Sequence, residues 1–138
     1  MIPTLDDPAL DDDHLELQRL VDAFSVGGLA HAKVTLDALH AHAETHFEAE
    51  DADLQRMTGG NAKCHADEHA AVLASLREVL GRLSDPAREA AANERMIAAL
   101  AAELRRWLPV HVDEMDRALA AFRFRERTGG MSVRILRG

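Results

Sequence analysis

The sequence predicts an all-α protein, an up-down-up-down antiparallel four-helix bundle. Three observations carry that expectation. Apolar residues recur at three- and four-residue spacing in four successive segments, which is the period of a helix and not of a strand. Gly and Pro cluster between those segments. The composition is Ala-rich, 47% hydrophobic and 29% charged, with no Tyr, which favours a soluble helical fold over a disordered or sheet-rich one. At 138 residues the chain fits one domain that can bury a core without disulfide staples. The bundle is expected over residues 11–126, with an N-terminal arm at 1–10 and a C-terminal tail at 127–138.

The elements follow in order. Asp11, Asp12 and Asp13 supply acidic cap and first-turn residues for helix one. Leu15, Leu17, Leu20, Val21 and Phe24 form its apolar stripe, and Gly27-Gly28 ends it. Helix two is expected from about Leu29 to Met57, carrying Leu36, Leu39 and Phe47, and Gly59-Gly60-Asn61 breaks it. Helix three runs from about Ala62 to Leu83, with Val72, Leu73, Leu76, Val79 and Leu80 on its apolar face. Ser84-Asp85-Pro86 stops it, and Pro86 suits the first position of a fourth helix reaching Arg125. Met96, Ile97, Leu100, Leu104, Trp107, Leu108, Met115, Leu119 and Phe122 are its candidates for burial.

Charge and cysteine usage narrow the function classes. A net charge of −8 does not suit a general nucleic-acid binder, because phosphate contacts need clustered Lys and Arg. The one basic stretch, Arg123 to Arg137, reads as a solvated tail, with docking of a protein partner as the functional alternative. A single Cys fits a reducing compartment. No apolar run approaches membrane-spanning length, and residues 1–13 lack the apolar segment of a signal peptide, so the expected location is the cytoplasm.

The residue type that stands out is His, present eight times. Three helices each carry a pair of ligand-type side chains: His46 and Glu50, His65 and His69, His111 and Asp116. Residues four apart share one helix face. The last pair is five apart, and a short carboxylate can swing toward the same side. His14 on helix one completes the set. In an alternating bundle the start of helix one, the end of helix two, the start of helix three and the later part of helix four meet at one end. Five imidazoles and two carboxylates buried together need a compensating cation. The set suits first-row metals such as iron. Seven ligands exceed the four that one zinc takes, and they suit two metals bridged by both carboxylates.

These residues resemble the hemerythrin family, especially its bacterial single-domain members. The resemblance rests on His46-Phe47-Glu48-Ala49-Glu50-Asp51, on Cys64-His65-Ala66-Asp67-Glu68-His69, and on Trp107-Leu108-Pro109-Val110-His111-Val112-Asp113-Glu114-Met115-Asp116, and it spans roughly His14 to Phe122. It implies a hemerythrin-like bundle holding two oxo- or hydroxo-bridged iron ions. His65, His69 and His111 would serve one iron, His14 and His46 the other, and Glu50 and Asp116 would bridge them. The iron with fewer ligands would keep a position open for dioxygen. The implied function is reversible oxygen carriage, storage or sensing, with no catalytic residues. A His-rich site with only two anionic side chains keeps the ferrous state accessible, unlike carboxylate-rich di-iron sites. The alternatives are a di-iron oxidoreductase acting on oxygen, peroxide or nitric oxide, and a metal-dependent regulatory module.

The blander readings stand beside these. Trp107, Leu108 and Phe47 line an oxygen pocket or are ordinary core residues. His31, His40 and His42 belong to the surface or boundary, although His42 lies one turn before His46 and can support it. Cys64 is a surface or boundary thiol. Asp11, Asp12, Asp13, Asp51, Asp53, Asp113 and Glu114 read as solvated charges and caps. Two departures from the family pattern affect the expected geometry: Pro109 lies inside a helix two residues before His111, and the stretch from His69 to His111 is long.

Overall fold

A computed structural model describes residues 2–59 and 61–129. Its elements are α1 (Pro8–Val26), α2 (Gly28–Leu54), α3 (Asn61–Leu83), α4 (Ala90–His111) and α5 (Arg117–Arg127), with a π-helical turn, Val112–Asp116, joining α4 to α5. The last three pieces form one rod, so the architecture is the expected four-helix bundle, and no strand occurs among the described residues. The rods follow one another through short connections, which makes sequence neighbours antiparallel. No helix among the described residues is long and apolar enough to cross a membrane.

Helix α1 starts earlier than expected. Asp7, not Asp11 to Asp13, is the N-cap: its side chain accepts from the Leu10 backbone N–H at 3.2 Å, and Pro8 occupies the first turn, where a missing N–H costs nothing. Asp11 instead accepts from the Leu5 N–H and ties the arm down. The buried stripe is Leu10, His14, Leu17, Val21 and Phe24, an alternation of four and three residues. Leu15, expected in that stripe, falls beside it and is 61% exposed. The turn to α2 takes one residue. A side chain on Gly27 would meet the Ala23 carbonyl at 2.9 Å, and Gly28 has φ +70°, the left-handed region that favours glycine.

Helix α4 starts later than expected. Asp85 to Arg88 form a turn in which the Asp85 side chain accepts from the Ala87 N–H, and helix begins only at Ala90. Pro86 therefore sits in the turn and not at a helix start. Most of the remaining core follows the pattern read from sequence, but Met96, Met115 and Phe122, expected to be buried, are only partly buried and lie outside it. Leu36, Leu39, Phe47, Leu76, Ile97, Leu104, Leu108 and Leu119 are buried, and Val72, Leu73, Val79, Leu80, Leu100 and Trp107 pack partly buried around the core.

The basic segment divides. Arg123 is not a free tail charge, because it bonds Asp53 at 2.5 Å, and Arg127 lies 3.6 Å from Asp7. The remainder of the tail expectation, residues 130–138 and any partner they dock, lies outside the described residues.

Candidate metal centre

Each rod delivers its ligand-type side chains to the same end of the bundle. His46 and Glu50 lie one turn apart near the end of α2, and His65 and His69 one turn apart near the start of α3. His14 projects from the first half of α1. The pair on the fourth rod is aligned by backbone. Along an α-helix residues five apart are rotated by roughly 140°. The π turn, with its wider i→i+5 bonding, returns Asp116 to the face that carries His111. Pro109 lies just upstream, where it cannot donate to the helical ladder. The five-residue spacing is thus met by the main chain, and not by a swing of the Asp side chain.

All seven residues are buried, none more than 4% exposed. Their donor atoms form two groups, each within 4.8 Å. One holds His65, His69, His111, Glu50 and Asp116; the other holds His14, His46, Glu50 and Asp116. Both carboxylates belong to both groups. Asp116 Oδ2 is 2.9 Å from His14 Nε2, and its Oδ1 is 2.7 Å from His65 Nε2 and 3.2 Å from His111 Nε2. Glu50 Oε2 is 3.1 Å from His46 Nε2, and its Oε1 is 3.1 Å from His69 Nε2.

Three of the imidazoles are held from behind. His46 Nδ1 donates to Asp13 at 2.9 Å, His69 Nδ1 to Asp51 at 2.8 Å, and His111 Nδ1 to Glu68 at 2.9 Å. A carboxylate only accepts, so each bond fixes the proton on Nδ1 and turns the Nε2 lone pair inward. Asp13 and Asp51 are therefore not plain solvated charges, and Glu68 is a functional candidate that the sequence reading passed over. Each adjoins a ligand-type residue on its own helix and reaches the imidazole of the next helix. That register, one residue off a ligand position, is the signal that could have found them. His42 lies beside this shell, its ring parallel to His46 and its Nε2 3.4 Å from the Asp13 carbonyl.

The inward atoms need positive charge. His69 Nε2 and His111 Nε2 face each other at 3.2 Å. Nε2 of His14, His46 and His65 and all four carboxylate oxygens of Glu50 and Asp116 are buried without a hydrogen-bond partner. Such orphaned donors, nitrogen and carboxylate together, fit first-row metal cations. In the metal-free protein protons take that place. Burial lowers the His46 pKa, but Glu50 and then Asp13 outweigh it and push it up to about 9. His111 is likewise raised against burial, by Asp116 and Glu68. Burial raises Glu50, but His46 and His69 hold it down to about 2. His111, His14 and His65 hold Asp116 far below the usual carboxylate range despite its burial.

An aromatic wall closes one side. Phe47 stacks on His69 at 4.0 Å, and Trp107 stacks on His111 at 4.3 Å while donating its indole N–H to Glu68 at 2.5 Å. Phe47, Trp107 and Leu108 line a cavity of about 20 Å³ whose other walls, including Leu17, Val72 and Leu104, are apolar. Cys64 is exposed and does not reach the cluster.

The chain matches the family described as hemerythrin HHE cation binding domain over residues 6–122. It is 35% identical to a bacteriohemerythrin of Ralstonia nicotianae over 118 residues, which cover 86% of this chain and 82% of that protein. No solved structure matches it at a significant level.

Two measurements test the electrostatics. His46, raised from 6.5 to about 9, contributes stability that is fully present below pH 6.5 and lost as pH rises through 9. Glu50, lowered from 4.5 to about 2, contributes stability present above pH 4.5 and lost as pH falls through 2. Urea titrations of chelator-stripped protein should therefore find a stability plateau between pH 4.5 and 6.5. A rise from pH 7 to 9 contradicts this. In Glu68→Gln, chelator competition should show metal affinity reduced about 10- to 100-fold. Glu48→Gln, at an exposed position, should leave it unchanged.

Proposed function

The chain belongs to the hemerythrin family, and from that premise we propose that it holds two iron ions between its seven buried side chains and binds dioxygen reversibly there. The observation that carries this reading is the pair of overlapping donor groups, which share Glu50 and Asp116 but offer three imidazoles on one side and two on the other. His65, His69 and His111 would hold one iron. His14 and His46 would hold the other, which has one protein ligand fewer, and the small apolar cavity is walled by Phe47 and Trp107, which stack on His69 and His111, and by Leu17, one turn after His14. When bound, a pair of ferrous ions supplies the electrons that dioxygen takes up on binding and returns on release.

The chain's own residues do the rest. Glu50 and Asp116, which belong to both donor groups, would help hold both irons and supply the negative charge that compensates the cations. Asp13, Asp51 and Glu68 hold three imidazoles in one tautomer and one orientation, so little rearrangement accompanies a change of metal charge. Phe47, Trp107 and Leu108 keep water from one side of the centre, because an apolar cavity offers water too few partners. Dioxygen is apolar and meets no such penalty. The ligand set carries five neutral imidazoles and two carboxylates, which favours release over irreversible oxidation. The protein is then a binding protein for carriage, storage or sensing, and a single exposed thiol agrees with a cytoplasmic location.

One observation favours an oxidoreductase as the second reading. A space of about 220 Å³ at the α2–α3 end is lined by His65 together with Met57, Cys64, Glu114 and Met115. It brings polar groups to the edge of the centre, where a reductant or peroxide can approach.

One experiment separates the two readings. The optical spectrum of the anaerobic ferrous protein is recorded before air, after air, and after argon purging. Charge-transfer bands that appear with air and fade with argon are the expected result. Immediate, irreversible conversion to a ferric spectrum contradicts reversible binding and supports the oxidoreductase.

A further inference from the structure

A cation bound for the seven buried side chains must first cross the surface of the bundle. An aliphatic layer bars it, because a divalent ion stripped of water in hydrocarbon is very costly until it meets its ligands. The groove between α1 and α4 beside Asp22 and Arg105, the space between Lys33 and Arg88, and the inner cavity at Phe47 have none of the seven in their walls. The space of about 220 Å³ at the α2–α3 end has His65 in its wall. A divalent ion with about six waters, each taking about 30 Å³, fits that volume.

His65 suits a point of entry. Its Nε2 lies 2.7 Å from Asp116 Oδ1, inside the cluster. Outer carboxylates hold His46, His69 and His111 from behind, and among the described residues none holds His65. His14 also lacks such a partner, but both of its nitrogens are sealed in the interior, whereas only Nε2 of His65 is. The His65 ring is therefore the ligand freest to turn between the outer space and the centre. Charge favours the same place. Glu114 is exposed in the π turn, lines this space, and makes no ion pair among the described residues. The basic residues next to the space in sequence are already paired, Arg117 with Asp113 at 2.7 Å and Lys63 with Asp67 at 2.6 Å. Elsewhere Asp22 is paired with Arg105, and Asp85 shares its space with Lys33 and Arg88. The space beside His65 thus has a carboxylate and no Lys or Arg in its wall.

We propose that divalent metal ions load the centre through this space, with Glu114 as the capturing carboxylate and His65 as the ligand that hands the ion inward to Asp116. The inference rests on the metal-binding reading above and adds to it a route and a residue that sets the loading rate. The hydrated ion exchanges a water for the Glu114 carboxylate, and the amide oxygen of Asn61 in the same wall is a second oxygen ligand of the kind such ions accept. Met57, also in the wall, is flexible enough to move aside as the ion passes.

Stopped-flow loading of chelator-stripped protein with cobalt(II), followed by its visible absorption, tests the route without any use of oxygen. Glu114→Gln should slow uptake roughly threefold or more, because a lone carboxylate at a cleft raises the local cation concentration. Loss of cobalt to excess chelator should slow by the same factor, with affinity held within about twofold, because a capture residue alters the barrier and not the end states. Asp22→Asn makes the same change of charge in the α1–α4 groove and should leave both rates unchanged. Cys64 is exposed and lines the space, so alkylating it with N-ethylmaleimide should slow loading of the folded wild type. The same treatment of Cys64→Ser should have no effect. If Glu114→Gln does not fold, the alkylated wild type decides alone. Unchanged rates in Glu114→Gln and in the alkylated protein, or equal slowing in Asp22→Asn, would overturn the route. A wild type that binds no cobalt would instead overturn the metal-binding reading, and the route with it.

Discussion

Two carboxylates and five imidazoles cannot stay buried at one end of a helical bundle without positive charge between them. An unpaired ion in a dry interior costs far more than a single domain can offset. The inward-facing Nε2 atoms and the oxygens of Glu50 and Asp116 make that demand specific, because they lack hydrogen-bond partners and lie within a few ångströms of one another. Protons meet the demand in part, which is why His46 and His111 hold theirs above the ordinary imidazole range. Metal cations meet it fully, and they must displace those protons to do so.

Much of the fold serves this constraint. The four rods place their ligand-type side chains at one level, and the π turn sets His111 and Asp116 on one face where an α-helix would have turned them apart. The opposite half of the bundle, around Phe24, Ala32 and Leu36, is plain close-packed hydrocarbon. The outer carboxylates tie the rods together in sequence, α1 to α2 through Asp13, α2 to α3 through Asp51, and α3 to α4 through Glu68. Each bond crosses a helix–helix interface and aims an imidazole, so the packing of the bundle and the geometry of the centre are one problem. Glu68 carries the most, since it accepts from both His111 and Trp107 and so couples the cluster to the aromatic wall.

What could be read from sequence was what repeats with the helix. His46 with Glu50 and His65 with His69 announce themselves by four-residue spacing, and the apolar stripes place the core. His111 with Asp116 was recognisable as a pair, but the backbone device that aligns it was not, because i→i+5 bonding leaves no periodic trace in so short a turn. Asp13, Asp51 and Glu68 were hidden for the converse reason. Each sits beside a ligand position and points to another helix, so its role depends on tertiary packing. The helix starts failed locally. Asp7 and Pro8 form a better cap than the acidic run that follows, and Pro86 is held in a turn by Asp85. Leu15 has the right chemistry for the core and the wrong angle.

Glu50 and Asp116 belong to both donor groups, so two irons held there, as proposed, would share both carboxylates. Metal analysis with magnetic measurement on the anaerobically reconstituted protein, wild type against Asp116→Asn and Glu50→Gln, tests it most directly. Two irons per chain that are magnetically coupled in the wild type, with the coupling weakened or lost when either carboxylate is replaced, is the expected result. One iron per chain in the wild type, or two that behave independently of both carboxylates, would rule out a two-iron centre that shares Glu50 and Asp116.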